Sequence, residues 1–264
     1  MLSGVLRGRI RAGDFLVGVI PAQPSADLVE VCGLLGFDFA FVDAEHGILS
    51  VETCRDMIRA ADAVNLPVLV RVPRNDAVVM LPYLEAGAAG VIVPHVRSAS
   101  DAQAAVDAVK YYPAGARGAG SSTRANAHGL GRSAAEYFRW ANDQTIVVPM
   151  IEDPDAIENL ASIGQVPGVD LLFIGPGDLA LALGHGGEGG HAEVRSALDH
   201  AFRTARSAGI RVGTVGYTRE KAQEAIDAGA QLIVHSTNLL LASSAKEFLT
   251  AVRTPESKLA GARA

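Results

Sequence analysis

The chain has 264 residues and a formal net charge of −6, from 23 Lys and Arg residues against 29 Asp and Glu residues. This acidic balance excludes a general affinity for nucleic-acid phosphates or anionic membranes, because such binding needs a basic face. Aromatic residues make up 5% of the chain, too few for base-stacking platforms. The 49% hydrophobic content fits one domain with a large core, and about 250 residues is the usual size of an α/β barrel.

The cysteines and the N-terminal segment indicate a cytoplasmic protein. Cys32 and Cys54 form no CxxC motif and are too few for a disulfide framework, so we expect buried, unreactive thiols. Arg7, Arg9 and Arg11 interrupt the first segment, which therefore does not read as a secretory signal. No run reaches the ~18 apolar residues that span a bilayer.

Eight short apolar runs alternate with amphipathic, alanine-rich segments along the chain. Most runs are continuous rather than alternating, as in parallel strands covered on both faces. We predict strands at Phe15–Ile20, Phe37–Asp43, Pro67–Val72, Gly90–Pro94, Thr145–Glu152, Asp170–Gly175, Arg211–Gly216 and Gln231–Ser236.

The segments between these runs have helical periodicity. Gly87 and Gly229 stand where a helix should end in a left-handed residue. Eight βα units without a linker predict a single (β/α)8 TIM barrel over residues 1–264, with a doubly wound open sheet as the alternative. Clear helical patterns lie at Val51–Val64, Asp101–Lys110 and Thr218–Ala230.

Two stretches are longer than a minimal barrel needs. Pro113–Arg132 is a long loop rich in Gly, Arg and Ser, followed by a short helix around Glu136–Asn142. Gly184–His191 is a second loop, dominated by glycine. Long loops in compact domains are usually functional or disordered. The tail after Thr254 has the composition of a frayed end.

Polar residues follow five consecutive predicted strands, from the second to the sixth. Active sites of barrels lie at the carboxyl ends of the strands, so a shared site would explain this pattern. The residues are Asp43, Glu45 and His46, then Arg71, then His95, then Glu152 and Asp153, and finally Asp178.

Glu152 and Asp178 end neighbouring strands, so their carboxylates can lie together. Two such groups repel each other unless a cation lies between them. A site with oxygen ligands alone favours Mg²⁺ or Mn²⁺ over Zn²⁺. The alternative is structural: Glu152 pairs with an arginine, and Asp178 caps a helix at Leu179–Leu183. The spacing alone does not decide between the two.

His46 and Arg71 also allow two interpretations each. His46, beside Asp43 and Glu45, is a candidate proton-transfer group whose tautomer a carboxylate fixes, or a loop histidine bonded to backbone. Arg71 ends an apolar strand, where an unpaired charge is costly to bury. It therefore pairs with a carboxylate such as Asp43 or binds an anionic ligand.

Two further motifs carry weaker signals. GPGDLA, at residues 175–180, partly fits a dinucleotide fingerprint, but no suitable acidic strand end follows ~20 residues later. Its N–H groups are better suited to a small carboxylate. His185, Glu188 and His191 suggest a metal site, whereas their glycine-rich setting favours a mobile surface loop.

Six segments, taken together, resemble one known family over nearly the whole chain. They are FDFAFVDAEHG (37–47), PVLVRVPRND (67–76), LEAGAAGVIVPHVRS (84–98), YYPAGARGAG (111–120), PMIEDPDAIENL (149–160) and GVDLLFIGPGDLALALG (168–184). The resemblance is to the HpcH/HpaI aldolases, metal-dependent class II pyruvate aldolases that include 4-hydroxy-2-oxoheptanedioate and 2-dehydro-3-deoxyglucarate aldolases.

The resemblance implies a barrel whose C-terminal helix is exchanged between subunits, commonly in homohexamers. It also implies that Glu152 and Asp178 ligate a divalent metal, which is Mg²⁺, Mn²⁺ or Co²⁺. His46, held by Asp43, would transfer the proton.

The same resemblance implies how substrate binds. Arg71 would lie against the keto oxygen, and the amides of Gly177 and Asp178 would hold the pyruvate carboxylate. The reaction would cleave or form 4-hydroxy-2-oxo acids through a pyruvate enolate, with a small aldehyde as the second partner. No lysine ends a predicted strand, which disfavours a Schiff-base mechanism.

Three departures from the family pattern bear on efficiency or on the aldehyde accepted. Met150 replaces a glutamine two positions before the metal glutamate. Glu85 replaces an aspartate and would reach a neighbour's active site to bind substrate there. Val19, Ile20 and Pro21 stand where an aromatic residue is usual.

Two other functions remain open at this stage. One is a lyase that acts on a CoA thioester of the malyl-CoA or citryl-CoA type. It predicts a basic nucleotide-binding patch, which the net charge of −6 does not indicate. The other is a barrel that binds a small molecule without catalysis, which Met150 makes conceivable.

Overall fold

A computed structural model describes residues 3–186 and 188–253. Its eight parallel strands form a closed barrel in chain order, so the predicted TIM barrel is confirmed and the open sheet is wrong. Each strand lies within its predicted run. The strands are β1 Leu16–Ile20, β2 Phe39–Asp43, β3 Val68–Arg71, β4 Gly90–Val93, β5 Ile146–Ile151, β6 Leu172–Ile174, β7 Val212–Val215 and β8 Leu232–Ser236.

Helices connect the strands and surround the barrel. Gly87 and Gly229 have φ of +104° and +110°, the left-handed conformation predicted for them. The tail after Thr254 lies outside the described residues. The helices are α1 Ser3–Ala12, α2 Ala26–Leu34, α3 Val51–Ala63, α4 Ala77–Glu85, α5 Ala99–Val109, α6 Ala134–Gln144, α7 Pro154–Glu158, α8 Leu160–Gly164, α9 Pro176–Ala182, α10 Ala192–Ser207, α11 Arg219–Ala228 and α12 Thr237–Arg253.

The long loop at Pro113–Arg132 is more regular than its composition predicts. It contains a 3₁₀ helix at Arg124–Gly129. Arg124 ties this helix to the barrel wall, donating from Nη1 to the Ala86 carbonyl at 2.9 Å and pairing with Asp62 at 2.5 Å. The side chain of Asn126 bonds the loop backbone at both ends. These side-chain hydrogen bonds add to the backbone hydrogen bonds within the loop, and together they give it a defined conformation.

The strands are apolar throughout because both of their faces are covered. In β3, Val68 and Val70 pack outward against the helices, whereas Leu69 packs inward with Phe39 and Phe173. Side chains alternate between the two faces of a strand. The same alternation aims the last inward position of each strand at the space above the barrel core.

Helix α1 closes the amino-terminal end of the barrel. Leu6 and Ile10 are buried in the inner core. Arg7, between them, pairs with Asp170 at 2.7 Å, and both side chains are buried. In the described part of the chain, these side chains fill the amino-terminal end of the barrel interior.

Helix α12 differs from the other long helices because none of its residues over Thr237–Arg253 is buried. Apolar side chains along it remain open within one chain, among them Leu241, Phe248 and Val252, each at least 60% exposed. Across the described parts of the chain, no helix combines the length and apolar character needed to cross a membrane.

Leu69→Ala tests the inner core. Leu69 is 1% exposed, and removing a buried leucine side chain usually costs about 2–5 kcal/mol of unfolding free energy because the cavity fills only partly. The control Leu130→Ala removes the same atoms from a side chain that is 90% exposed, for which a change within about 0.5 kcal/mol is expected. Urea unfolding of both variants measures the difference, and equal losses would contradict this assignment of the core.

Candidate active site

Three of the polar residues that follow the strands, His46, Arg71 and Asp178, line a cavity at the carboxyl-terminal end of the barrel. Asp43, Glu45, His95 and Glu152 are not among its described lining residues. Its volume is about 350 Å³. The walls are mostly apolar, and none of the described residues that line it is a lysine. The polar lining residues are His46, Arg71, Asp178 and Tyr217; the others are Ile20, Phe41, Met150, Phe173, Gly175, Pro176, Gly177, Gly189 and Val215.

Arg71, which lines this cavity, forms a two-point ion pair with Asp43. The register of β2 and β3 places them side by side. Arg71 donates from Nε to Asp43 Oδ1 at 2.9 Å and from Nη2 to Oδ2 at 2.5 Å, while Nη1 lies 3.1 Å from Glu45 Oε2. Burial alone would raise the pKa of Asp43, but the hydrogen bonds and charge of Arg71 outweigh it and lower the pKa. The pairing interpretation of Arg71 is therefore correct, and its guanidinium still lines the cavity.

His46 lies on the loop after β2, with its side chain 63% exposed. Asp43 Oδ1 accepts from the backbone N–H of His46 at 3.3 Å and from that of Glu45 at 3.0 Å. Asp43 thus fixes the loop rather than the imidazole. The carboxylate near the ring is Glu45, whose Oε2 lies 3.9 Å from His46 Nε2.

Glu152 follows β5 and is almost fully buried, at 1% exposure. Its Oε1 accepts from the backbone N–H of His95 at 2.8 Å. Its Oε2 has no hydrogen-bond partner among the described residues, although a buried polar atom normally has one. This oxygen lies beside Gly175 of the cavity wall, 3.2 Å from where a Cβ would stand. Among the described residues, Glu152 does not pair with an arginine, so the structural alternative for this residue is wrong.

Three carboxylates crowd the same region and shift the pKa of Glu152. Burial, helped by the charges of Asp178 and Glu45, raises its pKa to about 7, although the hydrogen bond and charge of His95 oppose the rise. Burial also raises the pKa of Glu45. An all-oxygen donor set that repels itself and leaves one oxygen unpaired fits a hard divalent cation.

Asp178 lies in the first turn of α9, and the capping alternative for it is wrong. The N-cap is Gly175, and Pro176 takes the first helical position, so the helix begins three residues before the predicted Leu179. Proline favours that position because its missing N–H would have no partner there. Gly177 is exposed, and a Cβ on it would meet nothing within 4 Å, so a ligand can approach this backbone closely.

His95 was noted only as a strand end, and the structure gives it a larger role. Its φ of +53° is left-handed, a conformation that aims its N–H at Glu152. Its Nδ1 lies 3.3 Å from Asp153 Oδ2, and its Nε2 lies 3.6 Å from Glu45 Oε1. The position directly after the predicted strand Gly90–Pro94 was the available signal, but a left-handed histidine leaves no mark in the sequence.

Glu85 is not among the described residues that line the cavity of its own chain. It is the last residue of α4, and its Oε1 would lie 2.5 Å from a Cβ built on Gly120 in the long loop. Within its own chain, Glu85 therefore lies apart from this cavity.

Comparison with known proteins identifies the family. The sequence profile of the HpcH/HpaI aldolase/citrate lyase family matches residues 19–245. The chain belongs to this family. It is 36% identical to the 2-dehydro-3,6-dideoxy-6-sulfogluconate aldolase of Pseudomonas putida over 87% of the chain and 89% of that enzyme. It is 34% identical to the hydroxypyruvate/pyruvate aldolase of Sagittula stellata over 86% of the chain and 88% of that enzyme.

Solved structures agree with this assignment. An HpcH/HpaI aldolase/citrate lyase family protein from Burkholderia cenocepacia superposes with a TM-score of 0.89 at 30% identity, covering 95% of this chain and all of that one. With named aldolases at more than 30% identity over most of the chain, the protein is an enzyme, a carbon–carbon lyase.

Glu152→Gln tests the electrostatics of the site without metal. Because folding raises the pKa of Glu152 from 4.5 to about 7, the protonated form stabilises the fold, and this contribution is lost as pH rises through 7. In EDTA, the variant should therefore gain stability over the wild type on going from pH ~5 to pH ~8. Urea unfolding at both values measures the gain. The exposed control Glu158→Gln should show none, and a pH-independent difference for Glu152→Gln would contradict the assignment.

Proposed function

We propose that the protein is a divalent-metal-dependent pyruvate aldolase that cleaves or forms 4-hydroxy-2-oxo acids through a pyruvate enolate. The observation that carries the proposal is the buried Oε2 of Glu152, which has no hydrogen-bond partner among the described residues. Asp178 lies close enough for its charge to raise the pKa of Glu152. The printed names of both curated relatives are those of aldolases.

Glu152 and Asp178 are the residues that would hold the metal, and their oxygen donors suit Mg²⁺ or Mn²⁺, with Co²⁺ as a substitute. When bound, the metal would act as a Lewis acid that makes the methyl protons of pyruvate removable. The free Oε2 and the crowding of carboxylates both favour a cation at this point.

Arg71 is positioned to stabilise the negative charge that would develop on the keto oxygen of pyruvate. Two hydrogen bonds to Asp43 fix the plane of the guanidinium before substrate arrives. A donor that needs no reorganisation stabilises a developing oxyanion strongly. The backbone is open at Gly177, and the N–H groups of Gly177 and Asp178 would donate hydrogen bonds to the carboxylate of pyruvate.

His46 is the candidate for moving the proton at the methyl carbon. Its imidazole lines the cavity and is open to solvent, so it can exchange the proton with water. Asp43 holds the backbone of this loop, and Glu45 lies near the imidazole, with Oε2 3.9 Å from Nε2.

The cavity selects small substrates. A volume of about 350 Å³ lies at the lower end of the range for ligand pockets. Phe41, Phe173 and Val215 make its wall apolar around the few polar groups. Pyruvate and a small aldehyde fit this space, and the absence of lysine from the described lining residues disfavours a Schiff-base route.

Proton exchange tests the chemistry directly. Exchange of the pyruvate methyl protons with D₂O, followed by NMR, should require Mg²⁺ or Mn²⁺ and stop in Glu152→Gln. In His46→Ala it should fall by about 10²–10⁴, the usual contribution of a general acid–base group. The exposed control Glu158→Gln should keep the full rate. Exchange, or release of pyruvate from a 4-hydroxy-2-oxo acid, that survives exhaustive chelation would overturn the metal mechanism.

We also propose that α12 is exchanged between subunits of a homo-oligomer, a hexamer by family resemblance. Its apolar side chains have no cover within one chain, and patches of this kind usually mark an interface. Exchange would also place Glu85, which does not line the cavity of its own chain, beside a neighbouring subunit.

Replacing Leu241 and Phe248 with glutamate should lower the oligomeric state, because charged side chains would then stand where a neighbouring subunit covers two exposed apolar ones. Light scattering coupled to size exclusion measures the mass. The matched control places glutamate at Ser243 and Ser244, exposed polar positions on the same helix. A parent protein that is monomeric, or equal masses for both double variants, would contradict the exchange.

A further inference from the structure

The connection between α9 and α10 brings two histidines and a glutamate together, away from Glu152. His185 Nε2 lies 2.7 Å from Glu193 Oε2. The ring centroids of His185 and His191 are 3.5 Å apart. One nitrogen or oxygen ligand atom from each of the three residues lies within 4.8 Å of the other two.

This group differs from the one that the sequence suggested. His191 is the N-cap of α10 and Glu193 lies in its first turn, so the start of the helix brings Glu193 to the two histidines. Glu188 of the loop is not part of the group among the described residues. The structure therefore groups the two histidines with Glu193 rather than with Glu188.

The ligand chemistry of the group is distinct from that of the catalytic carboxylates. Two imidazole nitrogens and one carboxylate suit Zn²⁺, whereas oxygen ligands alone suit Mg²⁺ or Mn²⁺. In a tetrahedral zinc site with bond lengths near 2.1 Å, ligand atoms lie roughly 3.3 Å apart. The ligand atoms already lie within 4.8 Å of one another, and turning one of the two stacked rings would direct both imidazole nitrogens at a shared ion. Glu193 and His191 are exposed, which leaves a path for the ion.

We propose that His185, His191 and Glu193 form a second divalent-cation site, selective for Zn²⁺-like ions and completed by water. The ion takes the place of the proton in the hydrogen bond between His185 and Glu193.

The position of this site links it to substrate binding. Gly189, between the two histidines in the sequence, lines the catalytic cavity. Five of the eight residues at 184–191 are glycine, and glycine loses the most conformational freedom when a segment is fixed. An ion that joins His185 to His191 therefore holds this part of the cavity wall in place, so its effect falls on KM rather than on the proton-transfer step.

Zn²⁺ titration of the full-length protein by calorimetry tests the site, with excess Mg²⁺ present to fill the oxygen site. The wild type, Glu152→Gln and the exposed control His200→Gln should each bind one equivalent. The double variant His185→Gln/His191→Gln should bind at least about tenfold more weakly, since losing even a supporting partner of a ligand costs that much. Co²⁺ added to the wild type should give the visible absorption of a tetrahedral, nitrogen-ligated ion, which needs no variant to fold.

Equal Zn²⁺ affinity in the wild type and the double variant would overturn the proposal, as would loss of binding in Glu152→Gln alone or no binding by the wild type. Because the readout is metal binding rather than turnover, this result is independent of the test of the aldolase function.

Discussion

A shortage of positive charge at the carboxyl-terminal end of the barrel is the constraint on which the site depends. Arg71 pairs with Asp43 at two points and contacts Glu45, so its charge is already shared. Glu152 is buried behind them with one oxygen unpaired among the described residues. Burying ionised groups without compensation is expensive. The fold therefore concentrates negative charge where the proposed reaction needs a cation, and the rest of the barrel supports this arrangement.

Strand geometry explains why the charged residues meet. In β2, β3 and β5 the inward positions carry large apolar side chains up to the last one, where Asp43, Arg71 and Glu152 follow at the same two-residue spacing. The barrel register then sets Asp43 beside Arg71. The acidic net charge of the chain averages over this pattern and gives no hint of it. The order of residues along each strand, rather than the composition of the chain, determines the electrostatics of the cavity.

Features with a periodic or single-residue signal could be predicted from the sequence. These include the eight strands, the helix-ending Gly87 and the polar strand ends. Features that depend on one unusual backbone conformation, or on a partner distant in the sequence, could not be predicted from it. The left-handed His95 that donates to Glu152 is one example, and the order of the long loop, fixed by Arg124 and Asn126, is another. The start of α9 was mispredicted although Pro176 was a usable signal.

The closure of the barrel by α1 has a consequence for the order of events. With Leu6 and Ile10 filling the amino-terminal end, substrates reach the cavity from the carboxyl-terminal end of the described barrel. In the proposed reaction, pyruvate binds against Arg71 and Asp178, which line the cavity, so pyruvate occupies the deeper place and the aldehyde the outer one. Molecules that share a single entrance leave in the reverse order of arrival. Pyruvate should thus enter first in synthesis and depart last in cleavage, an ordered kinetic scheme imposed by the architecture of the barrel.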